Sequence, residues 1–378
     1  MSEIAICAVL VPIAIAAAQA DSPQVIRCEW QPHTVRQYRG RAPVLTEDAL
    51  DALPAQIQVP THEYQWGQQF VYMPEKNRLF LQTTVGLYSD DLGATWIETP
   101  TAPGRLTHLG DGNALAVGGE LSLSRDYGTT WETLGPRPPL PDGKAAYSLG
   151  AMVVDRDPAS GSIVRLVESV FHDDAYVRFS TDGGRTWPTL LKAPWISETT
   201  LIRASNGDLV AATRTDGRAS IADPEAPFDW RRAGGERDFY SGLGVSISKD
   251  NGQTWSPVTK LYEAGRHHPS MVLLANHDLV MTYVVRLGYD DTVEGLPQYG
   301  IEAVVSHDHG QTWDLDHRYV LDRWVGAWAE RPGVQLMAPN ETDTVLLPDG
   351  SLITAYGKGF PLPGPQRGVQ LVRWRVTN

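Results

Sequence analysis

The chain has 378 residues, with 32 Lys+Arg against 45 Asp+Glu for a formal charge of −13, and its 20% charged and 42% hydrophobic content is that of a folded protein. The acidic balance argues against nucleic acid or an anionic membrane as the main partner, since neither gains counterion release on such a surface. Only two cysteines, Cys7 and Cys28, are present, which excludes a disulfide framework and a cysteine metal cluster.

In chain order, residues 1–20 read as an export signal: an apolar run over 4–18 ends in Ala18-Gln19-Ala20, a small-x-small cleavage pattern. The run is shorter than the ~20 residues that span a bilayer. Its leading residues carry Glu3 and no basic side chain. The expectation is a secreted or periplasmic protein with no membrane span after removal of 1–20, in which Cys28 has no intramolecular partner. Residues 21–60 form a lead-in, with the stretch 26–35 as a candidate closing strand, and 61–378 form the main domain.

That domain is built on a repeat. Ser89-Asp90-Asp91-Leu92-Gly93-Ala94-Thr95-Trp96 recurs from Ser124 to Trp131, Ser180 to Trp187, Ser248 to Trp255 and Ser306 to Trp313, each fitting S-x-D-x-G-x-T-W. Ser and Asp oxygens accept backbone N–H groups in a tight turn, and Gly supplies positive φ without a Cβ clash. The Trp opens the next strand. The motif residues are therefore structural. A second hairpin precedes each box: 198–203 turns at Asn206-Gly207 into 209–214, 268–274 turns at Asn276-His277 into 279–286, and 344–347 turns at Asp349-Gly350 into 351–356. A weaker copy starts at Arg105 and turns at Gly110-Asp111-Gly112. Two hairpins per repeat make a four-stranded antiparallel blade. Five boxes plus one boxless C-terminal unit predict an all-β fold, a six-bladed β-propeller.

Counting outward from the turns places the chemistry. The boxes and the turns between first and second strands share the bottom face, so the starts of first strands and ends of second strands meet at the top. Glu198 then falls opposite Arg214, His267 opposite Arg286, and Thr342 opposite Tyr356. Glu198, Arg214, His267, His268, Arg286, Glu341, Asp343 and Tyr356 are expected near one mouth. Two long loops, 215–241 and 287–300, rise over it, the first carrying Arg237 and Tyr240. The plainer alternatives are a Glu198–Arg214 salt bridge that ties the hairpin, a packed core Tyr356, and one of His267 and His268 capping a strand or packing under a loop. No third ligand at a metal-binding spacing accompanies the histidines, and no cofactor is implied.

The five boxes are Asp boxes, or BNR repeats, and the chain resembles the sialidase (neuraminidase) superfamily over roughly 63–376. The more specific likeness is Ser197-Glu198-Thr199-Thr200 followed by Asn206-Gly207-Asp208-Leu209 and Ala211-Ala212-Thr213-Arg214. It implies that Glu198 activates a tyrosine nucleophile and that Arg214 belongs to a clamp on the substrate carboxylate. A guanidinium fork suits that planar group. The chain departs from the family pattern in reading Pro60-Thr61-His62 where a first-blade Arg-x-Pro is expected, and Glu341-Thr342-Asp343 where the tyrosine would open the last blade. Three functions stay open. One is an exported sialidase-like glycoside hydrolase acting on a sialic or uronic acid glycan, with Glu198, Tyr356, His267 and His268 as catalytic residues. In that reading Arg214, Arg286, Glu341, Asp343, Arg237 and Tyr240 bind substrate. Another is a lyase or uronic-acid glycosidase using His, Arg and Tyr, and the third a non-catalytic propeller that binds glycan or protein. Oligomeric state is not readable.

Overall fold

The computed structural model describes residues 25–39, 46–49, 55–60, 69–83, 85–215, 241–286, 298–328, 335–336, 338–360 and 368–377. Six antiparallel sheets form the blades. The first strands are Gln69–Met73, Arg105–Gly110, Val153–Arg156, Thr199–Arg203, Arg266–Leu273 and Ala338–Leu346, and each blade's remaining strands follow outward by hairpins. The expected six-bladed propeller is the fold. Each of six buried apolar clusters joins two successive blades, and the last joins blade 6 back to blade 1 through Leu371 and Ile353 on one side and Phe70, Leu81 and Trp96 on the other. The core is thus a closed ring of interblade seams.

Blade 6 has three strands from the C-terminal part of the chain, and its fourth, Ala55–Pro60, comes from the N-terminal part, pairing with Gly368–Trp374. Closure therefore uses 55–60 rather than the stretch 26–35. Val25–Arg27 instead extends blade 1, and Gln31–Pro32 lies outside Ala55–Pro60 in blade 6. Arg36–Arg39 and Thr46–Ala49 extend blade 5. The expected export segment 1–20 lies outside the described residues. Among the described residues, no helix is long and apolar enough to cross a membrane.

All five boxes close in the same way. In the fourth, Ser248 Oγ accepts the Gly252 N–H (2.7 Å) and donates to Asp250 Oδ1 (2.8 Å), while Asp250 accepts the Thr254 N–H (2.8 Å) and hydroxyl (2.5 Å). Those bonds, led by the Thr254 hydroxyl, hold the Asp250 carboxyl down at about 2. The box glycine is needed twice over. Gly310 has φ +88°, and a Cβ there would meet both methyls of Val210 in blade 4 at 2.9 Å. The bottom face is fixed by contacts between boxes and first hairpin turns: Arg203 donates to Asn251 Oδ1 (3.2 Å), and Tyr127 N–H to Gly112 O (2.9 Å).

Candidate functional site at the top mouth

The six first strands surround a cavity of about 420 Å³ on the propeller axis, lined by one or more residues of every blade: Phe70, Thr107, Val153, Thr200, Ser270 and Asp343. At its top end, charged side chains from four blades come together. Thr199 pairs with Thr213, so Glu198 meets Arg214 one step higher: Arg214 N–H donates to Glu198 O (3.0 Å) and its Nη1 to both carboxylate oxygens (3.0 and 3.3 Å). Arg214 Nε donates to Ser241 Oγ (2.8 Å), which fixes the guanidinium plane. Arg105, at the start of blade 2, reaches across to Glu341 of blade 6, Nη2 to Oε2 at 2.6 Å. Asp343, two residues further down the same strand, accepts the Phe70 N–H (3.2 Å).

Blade 5 contributes the histidines through a bulge. The pairing steps from Ser270 opposite Thr282 to His267 opposite Val284, so one extra residue is absorbed in the first strand. Pro269 has no N–H for the ladder, and His268 takes φ +51°, a left-handed conformation rare outside glycine. Thr342 Oγ1 donates to His268 O (3.0 Å) and the Thr344 N–H to Ser270 Oγ (3.1 Å), so blade 6 holds the bulge. The two rings lie 4.4 Å apart. Among the described residues, neither ring nitrogen of the buried His267 finds a hydrogen-bond partner. Arg286 donates from Nε and Nη2 to Pro339 O (3.1 and 2.8 Å).

The electrostatics divide these groups. Burial drives the His267 imidazole well below its ordinary range, and the charges of Arg286 and Arg214 push the same way. Burial also lowers His268, against the pull of Glu198 and Glu341, so both rings are neutral at pH 7. Burial alone would raise Glu198, but the charge that His268 carries in the acid range where Glu198 titrates and the charge of Arg214, with hydrogen bonds from Arg214 and Ser197, outweigh it and hold the carboxyl below its usual value. Asp343 goes the other way. Burial in the axial cavity raises it to about 7; Glu341 adds to the rise, and Arg105 and the Phe70 N–H only partly oppose it. Arg105 feels Glu341, Asp343 and Glu198 together, so one guanidinium links three carboxyl groups from two other blades.

Counting from the turns put Thr342 opposite Tyr356 and Glu198 opposite Arg214, and the registers agree. It put His267 opposite Arg286, whereas His267 faces Val284: the hairpin turn accounts for one position and the bulge for another. Tyr356 stands in the expected register, but its side chain turns into the seam between blades 5 and 6. It is fully buried, donates to Asp322 Oδ2 (2.5 Å) and accepts from Gln56 (2.8 Å). Successive side chains on a strand alternate in direction, and counting the backbone does not say which way this one points. Arg237 and Tyr240 lie outside the described residues, as do Pro60-adjacent positions 61–68. Arg105 was not anticipated, although it opens blade 2 at the position Glu198 occupies in blade 4, and the same counting finds it. Among the described residues, no group of three His, Cys, Asp or Glu side chains is placed to hold a metal ion.

The fold and its five boxes define a six-bladed β-propeller of Asp-box type. The BNR/Asp-box repeat family model matches residues 246–257 and 304–315, the fourth and fifth boxes. Comparison with curated proteins finds no match. Among solved structures, a protein of unknown function from Dyadobacter fermentans DSM 18053 is similar with a TM-score of 0.53 at 17% identity, covering 84% of this chain and 97% of that one. An alpha-L-arabinofuranosidase from Fusarium graminearum, in complex with an iminosugar inhibitor, gives 0.42 at 13% identity, over 84% and 97% of the two chains. An alpha-L-arabinanase from Penicillium chrysogenum, complexed with arabinobiose, gives 0.42 at 13%, over 91% and 99%.

Proposed function

We propose that the protein is a glycoside hydrolase that acts on an anionic glycan, a sialoside or uronide, at the top mouth. The observation that carries this reading is the pair of carboxyl groups with opposite shifts around one guanidinium. Asp343 is held up to about 7 and Glu198 below its ordinary value, both within electrostatic reach of Arg105. Two carboxyl groups driven apart by their surroundings are the acid and base that glycosidic cleavage needs. Protonated Asp343 donates to the leaving oxygen. Ionised Glu198 stabilises the positive charge that develops at the anomeric carbon and takes the proton of the water that adds there. With Tyr356 committed to Asp322, Glu198 acts on the sugar without a tyrosine intermediary. Arg214 and Arg286, from blades 4 and 5, place two positive charges beside a sugar carboxylate, and the neutral His268 beside them donates or accepts a single hydrogen bond.

The left-handed His267-His268 bulge favours a second reading, elimination from a uronate, in which a neutral imidazole removes a proton next to a carboxylate neutralised by arginine. One assay separates the two. Umbelliferyl sialosides and glucuronides and polygalacturonate are offered to the enzyme, and fluorophore release and new reducing ends are followed together with ultraviolet absorbance of unsaturated uronate. Hydrolysis without absorbance supports the hydrolase, absorbance supports elimination, and neither, beside active control enzymes, removes both.

A further inference from the structure

The connection from blade 2 to blade 3, residues 137–152, passes over the top face and is held by an ion cluster that the mouth does not use. Glu168 is 2% exposed and accepts from two guanidinium groups, Arg137 Nη2 at 2.6 Å and Arg178 Nε at 2.7 Å. Arg137 also donates to Ala146 O (2.5 Å) and Ser148 Oγ (3.1 Å), and Arg178 to Pro138 O (3.0 Å). Burying three charged groups is costly, and their hydrogen bonds are spent on fixing one loop. The residue between the two that Arg137 grips is Tyr147. Its backbone exchanges two hydrogen bonds of 2.9 Å with Phe171, at the top of blade 3, yet its side chain is 53% exposed. The ring stacks on His172, 5.4 Å between centroids and 19° between planes, and packs against Phe171 at 6.2 Å.

The loop also leans on the catalytic hairpin. A Cβ on Gly150 would meet the Thr200 hydroxyl at 2.5 Å, so only glycine permits this approach to the strand that begins beside Glu198. Tyr147 is three residues from Gly150, and Thr200 two from Glu198, which puts the Tyr147 Cα within about 23 Å of the Glu198 Cα by chain reach.

We propose that Tyr147, backed by His172 and Phe171, is a stacking platform for a further sugar ring of the glycan whose terminal unit occupies the mouth. The inference rests on the glycan reading above and adds to it an extended, oligosaccharide substrate. A rigid, exposed aromatic face on the same side as the acid and base groups offers the apolar face of a pyranose ring a partner at little entropic cost.

Calorimetric titration tests it, with galacturonic acid against trigalacturonic acid and sialic acid against sialyllactose. In the wild-type protein one trisaccharide binds more tightly than its monosaccharide, by about three- to tenfold, the worth of one aromatic contact. Tyr147→Ala removes that gain and leaves monosaccharide affinity unchanged, and Tyr147→Phe keeps it. The proposal is overturned if the trisaccharide advantage survives Tyr147→Ala, or if no saccharide of the set binds. Tyr147-dependent binding without turnover leaves the platform standing and removes the hydrolase reading alone.

Discussion

Replacing Asp343 by Asn tests whether the axial cavity holds a protonated carboxyl group. The side chain lines the cavity beneath Glu341, and burial raises it from 3.8 to about 7. Below pH 4 folded and unfolded chains both carry the proton. Between 4 and 7 the folded protein keeps a proton that the unfolded chain has released, so stability falls as pH rises, and above 7 the loss is complete. At about 1.36 kcal/mol per pH unit the total is about 4 kcal/mol. With about 2.1 cal/mol/K of unfolding entropy per residue, over 378 residues, this corresponds to a melting-temperature change of about 5 °C. The Asn variant keeps an oxygen for the Phe70 N–H and cannot ionise, so its Tm relative to wild type should climb by about 5 °C between pH 4 and pH 8. Thermal unfolding followed by far-ultraviolet circular dichroism at half-unit pH steps measures it. A Tm difference that stays constant across that range would mean that Asp343 ionises normally, and the acid assignment would be lost.

Arg214→Lys keeps the charge and loses the fork, and should raise KM for an anionic substrate by about tenfold or more with a smaller change in kcat; an unchanged KM would remove Arg214 from substrate binding. Tyr356→Phe deletes the hydroxyl held by Asp322 and Gln56, and should cost about 1–3 kcal/mol in denaturant unfolding while turnover persists. Loss of turnover in a folded Tyr356→Phe protein would restore the tyrosine as a nucleophile. Gly310→Ala places a methyl group against Val210 at positive φ, and should destabilise by about 1–3 kcal/mol with no effect on KM below the transition; wild-type stability would contradict the packing role given to the box glycine.

The fold was legible because each blade repeats one covalent pattern with a local cause. Ser, Asp, Gly, Thr and Trp at fixed spacing specify a turn closed by its own hydrogen bonds, and the turn sets which face its blade presents. Hairpin symmetry carried the argument as far as Glu198 opposite Arg214, where the pairing is regular. It failed where the backbone is irregular, at the bulge that Pro269 and left-handed His268 create. It also could not read side-chain direction, so Tyr356 was expected at the mouth and lies in the seam. The Arg105–Glu341 pair joins residues 236 positions apart, and closure of the ring, which seats blade 6 against blade 1, brings them together. The pKa of Asp343 is a property of the cavity that all six blades make, and no local stretch encodes it.

The central claim is that the mouth cleaves a glycosidic bond with Glu198 ionised among Arg214, Arg105 and His268. The most direct measurement is kcat for Glu198→Gln on the best substrate of the umbelliferyl series, with the melting curve taken in parallel. Gln keeps the shape and the bond from Arg214 but carries no charge, so kcat should fall by about 100-fold or more while the variant stays folded. A folded Glu198→Gln protein that turns over at the wild-type rate would contradict the account.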